Sequence, residues 1–134
     1  MKNSSKTAKS TTEIESSGNY MDLAFSRAPK NNHDDIEQIG KSFVQWLKRQ
    51  GVRTEIYYLN SSEVPEGLES IAKLLSLGDN EEIWVLLQFY KNRDHADEIT
   101  AKMMQDESID LLMKKFDGLI TQSIITGGFS RLRS

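Results

Sequence analysis

The chain has 134 residues, 37% of them hydrophobic, and its 20 acidic against 17 basic side chains leave a formal charge of −3. That length suits one domain of about 100–150 residues, and the longest apolar run, Ile83–Leu87, is far shorter than the roughly 20 residues a membrane-spanning helix needs. Cysteine is absent, which excludes disulfides, thiolate nucleophiles and cysteine-ligated zinc or iron–sulfur centres, and the acidic balance argues against a general nucleic-acid binder.

Residues 1–18 are mostly Ser, Thr, Lys and Asn. They offer too little apolar area to offset the entropy of ordering them. The expectation is a disordered polar tail, with one folded domain over residues 19–134. No apolar stretch follows the early lysines, so no secretory signal is expected. A cytoplasmic protein is the corresponding expectation.

Within the domain, Met21, Leu23 and Phe25 alternate with Asp22, Ala24 and Ser26, the period of a half-buried strand over residues 20–27. After Pro29, Asn31 and Asn32 offer N-caps, and Asp34, Asp35 and Glu37 suit the positive end of a helix dipole. Ile36, Ile39, Phe43, Trp46 and Leu47 follow at helical spacing, and Gly51 is placed to end the helix. Val52–Leu59 reads as a second strand, rich in β-branched and aromatic residues. Residues 60–67 are a turn region, and Leu68–Leu77 is either a short helix or irregular. Glu82–Tyr90 is the most hydrophobic strand. Asn92 or Asp94 caps a second helix carrying Ala96, Ile99 and Met103, and residues 108–115 make a short helical piece. Asp117-Gly118 marks a turn. A last strand is predicted over Leu119–Leu132, where Gly127-Gly128 suggests a bulge or a close backbone approach.

The element order is β-α-β, an insertion, then β-α-β. It predicts an α+β, ferredoxin-like βαββαβ fold, a four-stranded antiparallel sheet with its helices on one face. The third strand is apolar on both flanks, with Trp84, Leu86 and Tyr90 opposite Ile83, Val85, Leu87 and Phe89. Such a strand is covered on both sides. A second copy of the sheet is the simplest cover, giving a homodimer. The competing reading folds residues 61–78 back over the sheet.

Tyr20-Met21-Asp22 followed by Ala28-Pro29-Lys30, and Glu63-Val64-Pro65-Glu66-Gly67 after the second strand, together resemble the YbaA-like proteins, domain-of-unknown-function family 1428. The run from Glu81 to Phe129 carries more of the likeness. It includes Asn92-Arg93-Asp94-His95, Ala101-Lys102-Met103-Met104-Gln105-Asp106, Phe116-Asp117-Gly118 and Gly127-Gly128-Phe129. The resemblance spans about residues 19–133 and implies a dimeric α/β barrel, in which two sheets pair face to face. It implies no reaction. The chain departs from the family at Ser70-Ile71-Ala72 and Ile124-Ile125-Thr126, so any site using the family's side chains there does not carry over.

Candidate site residues follow from the strands. Asp22 either faces an inter-sheet cavity, where burial would raise its pKa, or sits hydrogen-bonded at a strand edge. Glu55 shares that ambiguity, with Arg53 on its own face as an ion-pair partner. Two carboxylates facing one cavity would suit acid–base work. Trp84, Gln88 and Tyr90 share a flank and, with Tyr57, would line a pocket for a flat apolar ligand; the alternative is packing in a dimer interface. His33 and His95 each lie beside acidic residues near a helix start. Neither has the spacing of a metal site, and neither a metal nor a cofactor is assigned. Serine-nucleophile and phosphate-loop motifs are absent. The expected protein is a soluble homodimer holding a small organic molecule between sheet and partner, with no nucleic-acid or membrane partner. The alternative is a non-catalytic interaction or stress-response dimer with a fully packed sheet face. A third reading, RNA stacking on Tyr57, Trp84 and Tyr90, lacks the basic residues it would need.

Overall fold

The computed structural model of the protein describes residues 18–133. Apart from Gly18, the segment read as a disordered tail lies outside the described residues. In chain order the elements are β1 (Tyr20–Pro29), a 3-10 turn (Lys30–Asn32), α1 (His33–Arg49), β2 (Arg53–Tyr58), α2 (Ile71–Leu74), β3 (Glu81–Tyr90), α3 (Arg93–Met104), α4 (Glu107–Asp117) and β4 (Ile125–Ser130). The four strands form one antiparallel sheet in the order β2-β3-β1-β4. This is the split βαβ arrangement that the element order predicts.

The helix ends follow local chemistry. Asp34 and Asp35 occupy the first turn of α1, and Lys48 and Arg49 its last turn, each sign matched to the dipole. Gly51 then takes φ +79°, a conformation open to glycine. Asn32, read as a cap for α1, makes no capping bond. Its amide instead donates to the Leu119 carbonyl (2.9 Å) and ties the start of α1 to the segment after α4. Asn92 does cap α3, accepting from the His95 N–H at 2.8 Å. Asp106 caps α4, accepting from the N–H groups of Ser108 and Ile109. It also takes the Trp46 indole N–H at 3.0 Å, which links α1 to the start of α4.

The predicted strand over Leu119–Leu132 is shorter in the structure and begins at Ile125. Residues 119–124 turn back instead, held by the Thr121 N–H on the Arg27 carbonyl (2.7 Å). Gly127 and Gly128 stay in continuous register with Leu23 and Asp22, so there is no bulge between them. Close approach is the reason for Gly128, since a Cβ there would overlap the Tyr20 hydroxyl.

Register sorts the side chains between the two flanks of the sheet. Tyr20 pairs with Tyr90, Asp22 with Gln88, Ala24 with Leu86 and Ser26 with Trp84. This flank faces the helices. Tyr90 packs with Leu47, Ile99 and Ile109 in the larger core cluster, and Trp84 packs with Ala28 and Ile36 in a second. The other flank carries the pairs Leu23–Leu87 and Phe25–Val85, with Tyr57 beside Val85. One reading of the sequence is corrected here. Trp84, Gln88 and Tyr90 look toward this chain's own helices rather than toward a neighbour. In β1 it is the small residues, Ser26 and Ala28, that are buried, while Met21, Leu23 and Phe25 are only half-buried.

The insertion between β2 and β3 contains one helical turn, α2, capped by Ser70. Arg27 on the helix-free flank holds the residues just after that turn. Its guanidinium donates to the carbonyls of Leu75 (2.7 Å) and Ser76 (2.6 Å) and to the Gln122 side chain (3.1 Å). Glu81 lies 3.5 Å from its Nε. Hydrogen bonds from Thr121 and the Gly78 backbone, with Arg27 nearby, keep the Glu81 carboxyl below its ordinary range. The competing expectation thus holds in part, because the end of the insertion is pinned to the Arg27 end of that flank.

Candidate functional site

Between the sheet and the helices lies a cavity of about 400 Å³, within the range of small-molecule sites. Its existence follows from residue size. β1 turns only Ala24 and Ser26 toward this space, where β3 turns Trp84, Leu86 and Gln88. Gly40 lets α1 lie close over β2, since a Cβ there would come within 2.8 Å of Ile56. The roof is Ile36, Ile39 and Phe43 from α1 with Leu112, Met113 and Phe116 from α4. Thr100, Met103 and Met104 of α3 complete one side. Met104 is 83% exposed, which places it at the mouth together with the exposed Thr100 and Asp110.

The lining is almost wholly apolar, and its polar groups are few. Ser26 and Gln88 are the two buried polar side chains among the described residues, each 8% exposed, and both line the cavity. Gln88 is oriented from behind by Tyr90, whose hydroxyl donates to its Oε1 at 3.1 Å. With the acceptor engaged, the amide N–H groups are the donors that remain. Burial pushes the Tyr90 phenol above its ordinary range, and the nearby Asp22 and Tyr20 add to this. Tyr90 therefore stays a neutral donor at physiological pH. Burial also raises the Asp22 carboxyl; a hydrogen bond from Tyr20 opposes this, and Asp97 adds to it.

A second polar cluster sits beside the Trp84 wall. Glu82 Oε1 accepts from the Trp84 indole N–H (3.1 Å) and lies 2.8 Å from His33 Nδ1. The His33 ring contacts both Tyr58 and Trp84, with centroids 5.0 and 4.9 Å away. Its Nε2 is 3.6 Å from Glu37. Ligand atoms of His33, Asp34 and Glu37 fall within 4.8 Å of one another. The imidazole, however, is already engaged by carboxylates on both sides.

The six residues singled out from the sequence divide between the two flanks. Trp84 and Gln88 line the cavity. Tyr90 acts behind Gln88, and Asp22 stands on the same flank, opposite Gln88 in register. Glu55 and Tyr57 lie on the helix-free flank, opposite Leu87 and Val85. The pocket imagined from Tyr57, Trp84, Gln88 and Tyr90 together therefore does not form, and Asp22 and Glu55 do not converge. Glu55 instead accepts from both Arg53 and the Tyr57 hydroxyl, and this raises the Tyr57 phenol pKa. The Arg53 guanidinium also lies 3.8 Å over the Phe89 ring.

Ser26 and the helical lining were not singled out from the sequence. The signal for Ser26 was present but easily misread. A small polar residue in a strand that alternates with large apolar ones looks solvent-facing, yet here the small side chains are what give the helices room.

The order of motifs on this sheet can be set against known proteins. A family model described as a protein of unknown function, DUF1428, matches residues 19–118. The chain belongs to the DUF1428 family. The match covers β1 through α4, and so all the elements that line the cavity apart from the segment leading into β4. No curated protein matched the chain. As a DUF1428 protein it inherits no assigned reaction, and its chemistry has to be read from its own side chains. No helix among the described residues is long and apolar enough to cross a membrane.

Proposed function

We propose that this DUF1428 protein binds a small apolar molecule in the cavity between its sheet and its helices. The observation that carries the reading is the pairing of a 400 Å³ apolar space with two buried polar side chains, Ser26 and Gln88, at its wall. Cores pack densely and leave few voids larger than a water molecule, so a space of this size lined by methionine and aromatic residues has the character of a binding site. Ala24→Leu should fill the space and abolish binding of a neutral naphthalene fluorophore, with the helical circular dichroism unchanged. Undiminished binding in that variant would sink the reading.

The helix-free flank supports a second part of the proposal, a homodimer formed by apposing two such flanks as in an α/β barrel. Tyr57 and Phe129 are 50% and 51% exposed there, and Leu23, Phe25, Val85 and Leu87 are only half-buried. An apolar sheet face in water is a site of association. Light scattering at micromolar concentration should report twice the chain mass, and Phe129→Glu should return the single-chain mass. A wild-type protein that scatters as a single chain would remove this part while leaving the cavity untouched.

A further inference from the structure

The charge of the cavity wall says which class of molecule it accepts, an inference that rests on the binding reading above. Among the described residues, no lysine, arginine or histidine lines the space. Its one ionisable lining group is Asp110, which is exposed at the mouth and already paired with Lys114 at 3.0 Å. Inside, the polar atoms are the Ser26 hydroxyl and the Gln88 amide. The Trp84 indole N–H is committed to Glu82, and one lone pair of the Gln88 oxygen to Tyr90.

Such a wall stabilises a neutral acceptor and leaves an ion uncompensated. A carboxylate or phosphate placed beside Gln88 would lose its hydration without meeting a cation, and an ammonium would meet no carboxylate among the buried lining residues. Both losses far exceed what one or two neutral hydrogen bonds return. A carbonyl or ether oxygen gives up little hydration and meets the amide N–H donors of Gln88. We propose that the cavity selects an uncharged, mainly apolar molecule carrying a hydrogen-bond acceptor, such as an amide, ketone or ester, and rejects carboxylates, phosphates and ammonium ions of the same shape.

The test is calorimetric titration of the whole protein with three probes on one skeleton: biphenyl-4-carboxamide, biphenyl-4-carboxylate and 4-(aminomethyl)biphenyl. The expected result is binding of the amide, with the carboxylate and the ammonium each weaker by roughly 100-fold. Asp110→Lys, a change at the exposed mouth, should narrow the amide-to-carboxylate gap by about tenfold without altering the fold. Carboxylate or ammonium binding as tight as the amide would overturn the charge selection and leave the cavity reading standing. Failure of all three probes would overturn both.

Discussion

Both flanks of this sheet carry large apolar side chains, and they are used differently. On one, Trp84, Gln88 and Tyr90 are buried under α1, α3 and α4. On the other, Tyr57 and Phe129 stand half out in the solvent. Hydrophobicity along β3 does not explain the difference, because the flank that faces the helices carries Glu82 and Gln88 beside Trp84, Leu86 and Tyr90, while the open one carries Ile83, Val85, Leu87 and Phe89. The difference lies in the neighbouring strand. β1 presents Ala24, Ser26 and Ala28 to the helices and Met21, Leu23 and Phe25 to the open side. Small residues under a helix layer admit the helices and leave a hollow, whereas large ones on the other side leave a greasy plate. Along this stretch of β1, side-chain volume separates the two flanks.

The largest effect that would separate the flanks is Trp84→Ala. It should lower folding stability by about 3–5 kcal/mol at any protein concentration, because Trp84 supports the fold beneath the helices. Phe129→Glu on the open side should change monomer stability by no more than about 0.5 kcal/mol. Urea melts of the two variants at several concentrations check this, and comparable losses in both would erase the distinction. Next is Gly128→Ala. A Cβ at that position overlaps Tyr20, so a loss of roughly 1–3 kcal/mol is expected. Tyr20→Phe in the same chain should restore part of it. A Gly128→Ala variant as stable as wild type would mean that β4 lies farther from Tyr20 than the structure has it.

The smallest effect is electrostatic. Asp22 sits on the helix-facing flank with its carboxyl raised mainly by burial. A carboxyl raised in the folded state contributes stability below its unfolded value and loses it as pH rises through the folded one. The charged form is therefore the disfavoured one at neutral pH. Asp22→Asn should accordingly unfold at higher urea than wild type at about pH 7, and the gain should vanish below about pH 4. A gain that persists into acid would point to something other than the charge.

Much of the architecture was legible from residues alone. The dipole-matched charges and Gly51 marked α1, Asn92 or Asp94 marked α3, alternation gave β1, and β-branched and apolar runs gave β2 and β3. The element order implied the antiparallel sheet that forms. Three things were hidden. Asn32 looks like a cap, but a distant carbonyl, that of Leu119, claims its amide. Thr121 and its neighbours look like strand, but their partners are Arg27 and Glu81 rather than a ladder. The candidate site split because facing is a property of the layer that arrives. Periodicity states that Trp84 and Val85 point in opposite directions and is silent about which of them meets the helices. Glu55 and Tyr57 were therefore grouped with residues they never see.

The Arg27 clasp on Leu75 and Ser76 has a geometric corollary. It raises a step at one end of the plate, beside the buried Ile83. At the opposite end the Arg53 guanidinium covers the Phe89 ring. A flat body laid on this plate therefore meets main chain at the Arg27 end and a guanidinium at the Phe89 end, so its two ends are held by different chemistry.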